Sequence, residues 1–210
     1  MNTQTHDQAH DQTHGQTNVS CTAFAGMERI ATGALAQVAI AVKNRIDRDG
    51  ASVLVFDDTG NPIEVDFRGT AADVRRRLAA SDSEAPTAPA QSAPRGPGRP
   101  KLGVTAREVT LLPRHWDWLN AQPGGASVAL RKLVDQARHG HAGRDRVRQA
   151  QEVTYRFMSV VAGNLYGYEE AMRALFAGDR GRFMALIEPW PADVRDHIVM
   201  LASAAFPIAA

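Results

Sequence analysis

The sequence predicts an α+β protein built in successive pieces, and three observations lead there. Residues 53–67 alternate apolar and polar about Thr59-Gly60-Asn61-Pro62, which is the period-2 pattern of a hairpin around a turn. Residues 35–46 and 144–206 instead repeat apolar side chains at helical spacing. Between them SDSEAPTAPAQSAPRGPGRPKLG, residues 81–103, is rich in Pro, Ala, Ser and Gly and separates the two regions. The layout is a small N-terminal ββαββα unit, a Pro-rich linker, a central βαα block and a C-terminal helical bundle.

Residues 1–18, MNTQTHDQAHDQTHGQTN, hold almost no apolar side chain and are expected to stay disordered. His6, His10 and His14 fall four apart, a spacing that on a helix would gather a divalent metal. The Thr and Asp content opposes a helix, so a solvated tail is the preferred reading. Residues 19–80 form the α+β unit. CTAFAG and ERIATG are short strands about Gly26. Leu35, Val38, Ala39, Val42 and Ile46 then mark a helix. SVLVFDD and IEVDFRG make the second hairpin, with Val53, Val55, Ile63, Val65 and Phe67 on its inner side. Thr70 is a candidate N-cap for the helix TAADVRRRLAA, with Asp73 three residues on.

In residues 104–141, Glu108–Leu112 is a candidate strand that Pro113 ends, because proline cannot donate to a ladder. Pro113 also suits the first turn of the helix RHWDWLNAQ. Gln122-Pro123-Gly124-Gly125 closes that helix, and a second is expected to start at Ser127 as N-cap. Its apolar stripe is Val128, Leu130, Leu133, Val134 and Ala137. His139 and His141 in HGHAG read as a solvated turn. Residues 144–206 then carry four helical segments, with Trp190 between Pro189 and Pro191 expected to pack as an apolar plug.

Charge is uneven. The whole chain carries a formal +1, yet Arg95 to Arg148 holds eleven Arg and Lys against four Asp and Glu, a local +7. That concentrates an anion-attracting field on the central block.

The block over Val104–Arg138 resembles the ribbon-helix-helix DNA-binding family. The matching residues are Gly125, Ser127, Leu130 and Arg131. The resemblance implies a homodimer whose paired strands enter the major groove while the second helix start grips phosphate. Helix-end amides attract phosphate without any side chain. The strand register stays open. With Val109 and Leu111 inward, Glu108, Thr110 and Leu112 face out; in the other register Arg107 leads the outer face. The preceding PRGPGRPKLG resembles the AT-hook family through Gly98-Arg99-Pro100 and Lys101, although Pro97 stands where that family has its first Arg. This implies an arm reaching the narrow minor groove. From TAFAG to WPADVRDH, with GRPKLG and QEVTYRFM between, the chain also resembles an uncharacterised bacterial family, a domain of unknown function (DUF2239). That resemblance implies shared architecture and supplies no activity.

Other chemistry is thin. There is one cysteine, Cys21, so no intrachain disulfide framework forms. No GxxxxGKS loop, GxSxG elbow or HExxH pair occurs. Asp57, Asp58 and Asp66 read as turn caps rather than a carboxylate site. Arg75, Arg76 and Arg77 spread round a helix as a solvated face. His115 reads as a surface residue, and His197 is placed to meet Asp193 at i,i+4. The sequence therefore predicts a cytoplasmic, non-membrane, non-enzymatic protein with no cofactor and no resident metal. Its expected partner is double-stranded DNA, bound as a homodimer through Arg95, Arg99, Lys101, Arg107, Thr110, Ser127, Arg131 and Lys132. The competing expectation is an oligomerisation or partner-docking module that ignores nucleic acid.

Overall fold

The computed structural model of the chain describes residues 20–83, 105 and 107–206. The expected tail at 1–18 lies outside the described residues, as does the linker expected over 81–103 from residue 84 on, whereas its first three residues, 81–83, are helical. The fold is α+β, and contacts divide the chain into two units, Met1–Arg76 and Arg77–Ala210.

The first unit follows the expected ββαββα order. Strands β1 (Ser20–Ala25), β2 (Glu28–Ala34), β3 (Val53–Phe56) and β4 (Pro62–Ile63) form one antiparallel sheet in the order β2-β1-β3-β4. A bulge between Ala23 and Phe24 shifts the β1–β2 register. Helix α1 (Leu35–Asp49) lays Val38 and Val42 on Cys21, Ala23 and Val55. The opposite sheet face carries Phe24 and Phe56, both buried, with rings edge to face at 6.4 Å. Arg45 grips Glu28 through two hydrogen bonds of 3.1 and 3.0 Å and so ties α1 to β2.

The second hairpin is shorter than the alternation predicts. Its ladder stops at Ile63, yet Ile63, Val65 and Phe67 stay half-buried while Glu64, Asp66 and Arg68 are exposed. The inward-outward pattern thus outlasts the ladder, because β3 offers only four residues to pair with. Asp57 caps the turn as expected. Its carboxylate accepts from the Thr59 amide and hydroxyl (2.9 and 2.7 Å) and from the Asn61 amide (2.8 Å). Burial pushes that carboxyl up, but the Thr59 and Asn61 bonds together outweigh it and leave it below the usual carboxylate range. Cys21 is buried beside this turn. Burial first, then Asp57 and Asp58, raise its thiol, so it stays protonated core material.

Helix α2 (Ala71–Ser83) opens on a reciprocal cap. The Thr70 amide and hydroxyl donate to Asp73 Oδ2 at 2.9 and 2.7 Å, and the Asp73 amide returns a bond to Thr70 Oγ1 at 3.3 Å. Those bonds, from the Thr70 amide first, hold the Asp73 carboxyl at about 2 instead of 3.8. The folded value is depressed, so the stabilisation is present above the unfolded value and is lost as pH falls from about 3.8 to about 2. An NMR titration of the Asp73 carboxyl should give a midpoint well below that of an exposed Asp, and Asp73→Asn should remove the α2 response in that window. A midpoint at the ordinary value sinks the cap.

The second unit is helical. Helix α3 (Pro113–Asn120) is followed by α4 (Gly125–Val161), α5 (Tyr168–Ala177), α6 (Arg180–Ile187), α7 (Ala192–Leu201) and a 3-10 turn (Ala202–Ala204). The expected turn at HGHAG does not form. α4 runs unbroken for 37 residues, about 55 Å at the usual rise. Gly140 and Gly143 weaken a helix by about 1 kcal/mol each relative to Ala. Neither takes the left-handed conformation that stops one, so the helix continues.

The C-terminal half of α4 packs with α5, α7 and the 3-10 turn, and α6 packs on α5. Phe157, Met158, Leu175, Phe183, Ile187, Val194 and Ile198 are fully buried there. Val160, three residues beyond Phe157, is exposed. His197 is buried with its ring edge-on to Phe157 at 4.6 Å. Trp190 is the expected plug: it is buried and donates Nε1–H to the Tyr166 carbonyl at 2.9 Å.

Candidate nucleic-acid interface

The α3–α4 hairpin carries three of the eight predicted site residues, Ser127, Arg131 and Lys132. Pro113 occupies the first turn of α3, and the His115 and Trp116 amides close on the Leu112 carbonyl at 2.8 and 3.3 Å. Gln122 N–H donates to Leu119 O (3.2 Å) and Gly125 N–H to Gln122 O (2.9 Å), which turns the chain. Gly124 caps α4 at φ +87°, and a Cβ there would sit 3.1 Å from Val128. Only glycine enters this turn without strain.

That geometry corrects the expected helix start. α4 begins at Gly125, with Gly124 at the N-cap, so Ser127 stands third in the first turn and is not the cap. The left-handed glycine supplies the turn that the serine hydroxyl was expected to provide. Ser127 keeps its place among the free amides of the helix start. Arg131 Nε donates to the Ser127 carbonyl at 3.0 Å, which folds the guanidinium back along the first turns of α4. Lys132 follows and is exposed. Ser127, Arg131 and Lys132 thus share the beginning of one helix.

The expected strand does not form within this chain. Residues 107–112 precede α3 without a ladder partner among the described residues. A strand needs a neighbour for its amides, and this segment finds none among the described residues. Arg107, Glu108, Val109, Thr110 and Leu112 are exposed, while Leu111 is half-buried. Arg95, Arg99 and Lys101, the arm, lie outside the described residues.

The hairpin is thinly packed. Among the described residues from 107 to 140 only Leu119 and Ala129 are buried. Leu111, Trp118, Leu119, Leu130 and Leu133 line an apolar cleft of about 250 Å³, with His115 at its edge. Val109 (53%), Trp118 (53%), Leu133 (43%) and Val134 (54%) remain exposed. The stripe predicted for α4 is therefore present, but its own chain does not cover it. From Arg131 to Arg146 every residue of α4 is exposed, and Arg138, Arg144 and Arg146 extend the basic character along it. Sequence reading counted these charges and missed that they share one continuous helix, because it expected a break at HGHAG. Among the described residues, no group of three or more His, Cys, Asp or Glu gathers to hold a metal ion, and no helix is long and apolar enough to cross a membrane.

Fold and site define an α+β protein with an uncovered apolar helical hairpin whose second helix opens beside basic side chains. The chain belongs to the bacterial family described as "Uncharacterized protein conserved in bacteria (DUF2239)", whose family model matches residues 20–202. No curated protein and no solved structure matches it.

Proposed function

We propose that this protein is a DNA-binding regulator or nucleoid-associated protein of the bacterial cytoplasm, acting as a homodimer and by binding rather than catalysis. One observation carries the reading: a hairpin too thinly cored to stand alone, whose second helix starts with Ser127, Arg131 and Lys132 together. Two copies would pair through Val104–Leu112 and cover the apolar cleft. Pairing would give the amides of residues 107–112 a ladder, which they lack among the described residues. The α4 start would then hold phosphate with its amides and with Arg131 and Lys132. Arg107 and Thr110 would lie on or beside the paired segment. The arm at Arg95, Arg99 and Lys101 would add contacts to phosphate or the minor groove.

Duplex binding across a salt series tests this. Each phosphate contact contributes a slope of about 0.9 in log affinity against log salt. Arg131→Ala with Lys132→Ala should reduce the slope by about two units, and Arg99→Ala with Lys101→Ala by a similar amount. No binding at low salt, or a flat slope, rejects the reading. The exposed Trp118 and its apolar neighbours also favour a second reading, a protein-docking module indifferent to DNA. Mass in solution with and without duplex separates the two.

A further inference from the structure

We infer that the cleft between the middle of α4 and the turn after α7 is a binding site for a carboxylate with an apolar body, a short acyl or aromatic acid. The cleft is about 680 Å³, within the range of small-molecule sites. From α4 it is lined by Arg144, Val147, Arg148 and Gln151, which follow one another at i, i+3, i+4 and i+7 on one helical face. Ala204 and Phe206 form the opposite wall.

Both walls are fixed in place. Gln151 Nε2 donates to the Leu175 carbonyl at 2.9 Å and to the Ala205 carbonyl at 3.3 Å, so the helix is tied to the segment facing it. Phe206 packs its ring on Phe183 at 5.4 Å. The interior is therefore a preformed apolar surface rather than a gap between loose side chains.

The rim is cationic. Arg144, Arg146 and Arg148 all line the opening. The one carboxylate beside them, Asp145, accepts from Arg148 at 2.9 Å. Arg144 and Arg146 make no ion pair among the described residues, which leaves a local excess of two positive charges. Guanidinium groups recognise a carboxylate by paired, charge-assisted hydrogen bonds. Apolar walls below a cationic rim suit a ligand that is apolar at one end and anionic at the other. Inorganic phosphate would use the rim alone, and an alcohol of the same length the walls alone. The site does not rest on the DNA reading, since its residues lie apart from the start of α4.

Isothermal titration of the full-length protein with octanoate below its micelle concentration, benzoate, octanol and inorganic phosphate tests the site. Octanoate or benzoate should bind saturably at one per chain. Octanol and phosphate should bind at least about tenfold more weakly, since each lacks half of the recognition. Arg144→Ala with Arg148→Ala should weaken the acid about tenfold or more and leave octanol unchanged. Gly143 also lines the cleft, is helical, and a Cβ added there meets no heavy atom within 4 Å. Gly143→Phe should therefore fold, with better helix propensity than glycine, and occlude the site. The inference is overturned by the absence of saturable binding of either acid at millimolar concentration. It is equally overturned by octanol binding as tightly as octanoate, or by undiminished acid binding in the Gly143→Phe and double-arginine variants.

Discussion

Phe157→Ala should destabilise the helical unit by about 3–5 kcal/mol, the range for emptying a fully buried aromatic site. Phe157 is fully buried in the second half of α4 and meets the His197 ring at 4.6 Å. Its removal leaves a cavity that the neighbouring side chains close only in part. A domain holds about 5–15 kcal/mol in total, so the loss is a large share of it. Urea unfolding followed by far-UV circular dichroism reads the change. Val160→Ala, three residues on and exposed, is the control and should shift stability by about 0.5 kcal/mol or less. Equal losses at both positions would mean that the packed face of α4 has been assigned wrongly.

The second large effect is on assembly. Leu133→Glu with Val134→Glu should convert the proposed two-copy species into a single chain. Both side chains are exposed in the isolated chain, so two carboxylates there stay solvated and leave the protomer folded. At a self-complementary interface each substitution appears twice, which places four carboxylates in one apolar contact. Burying unpaired charge costs several kcal/mol per ion, more than a modest interface supplies. Sedimentation at tens of micromolar, with and without duplex, reads the mass. A wild-type protein that stays at one chain throughout, or a double variant that keeps the two-copy mass, removes the homodimer. Retained DNA binding by a monomeric variant would separate the proposed phosphate contact at the start of α4 from the proposed pairing of copies.

Much of the fold was legible in residue order because its signals are local. Thr70 with Asp73 three residues on forms the expected cap, since both partners sit in one turn. Thr59-Gly60-Asn61 forms the expected turn because Asp57 bonds residues two and four away. Trp190 between two prolines reads as a plug, and its indole finds a backbone carbonyl. The errors occur where a local signal was weak or ambiguous. HGHAG looks like a turn, but its glycines keep helical backbone and α4 passes through. Ser127 looks like an N-cap, but the positive φ of Gly124 places the N-cap three residues earlier. Residues 107–112 look like a strand, but strand formation depends on a partner elsewhere in space.

The sequence by itself determined the α+β class, the order of elements in the first unit, the helix-rich second unit and the concentration of positive charge on the central block. Each follows from periodicity, turn chemistry or composition, which act over a few residues. Only the tertiary structure decided that α4 is one helix joining the hairpin to the bundle, that Leu133 and Val134 are left uncovered, and that Arg144 and Arg148 face Phe206 across a cleft. Those outcomes depend on which face of a helix finds a neighbour. Packing between residues far apart in the chain settles that, and helical periodicity alone cannot specify it.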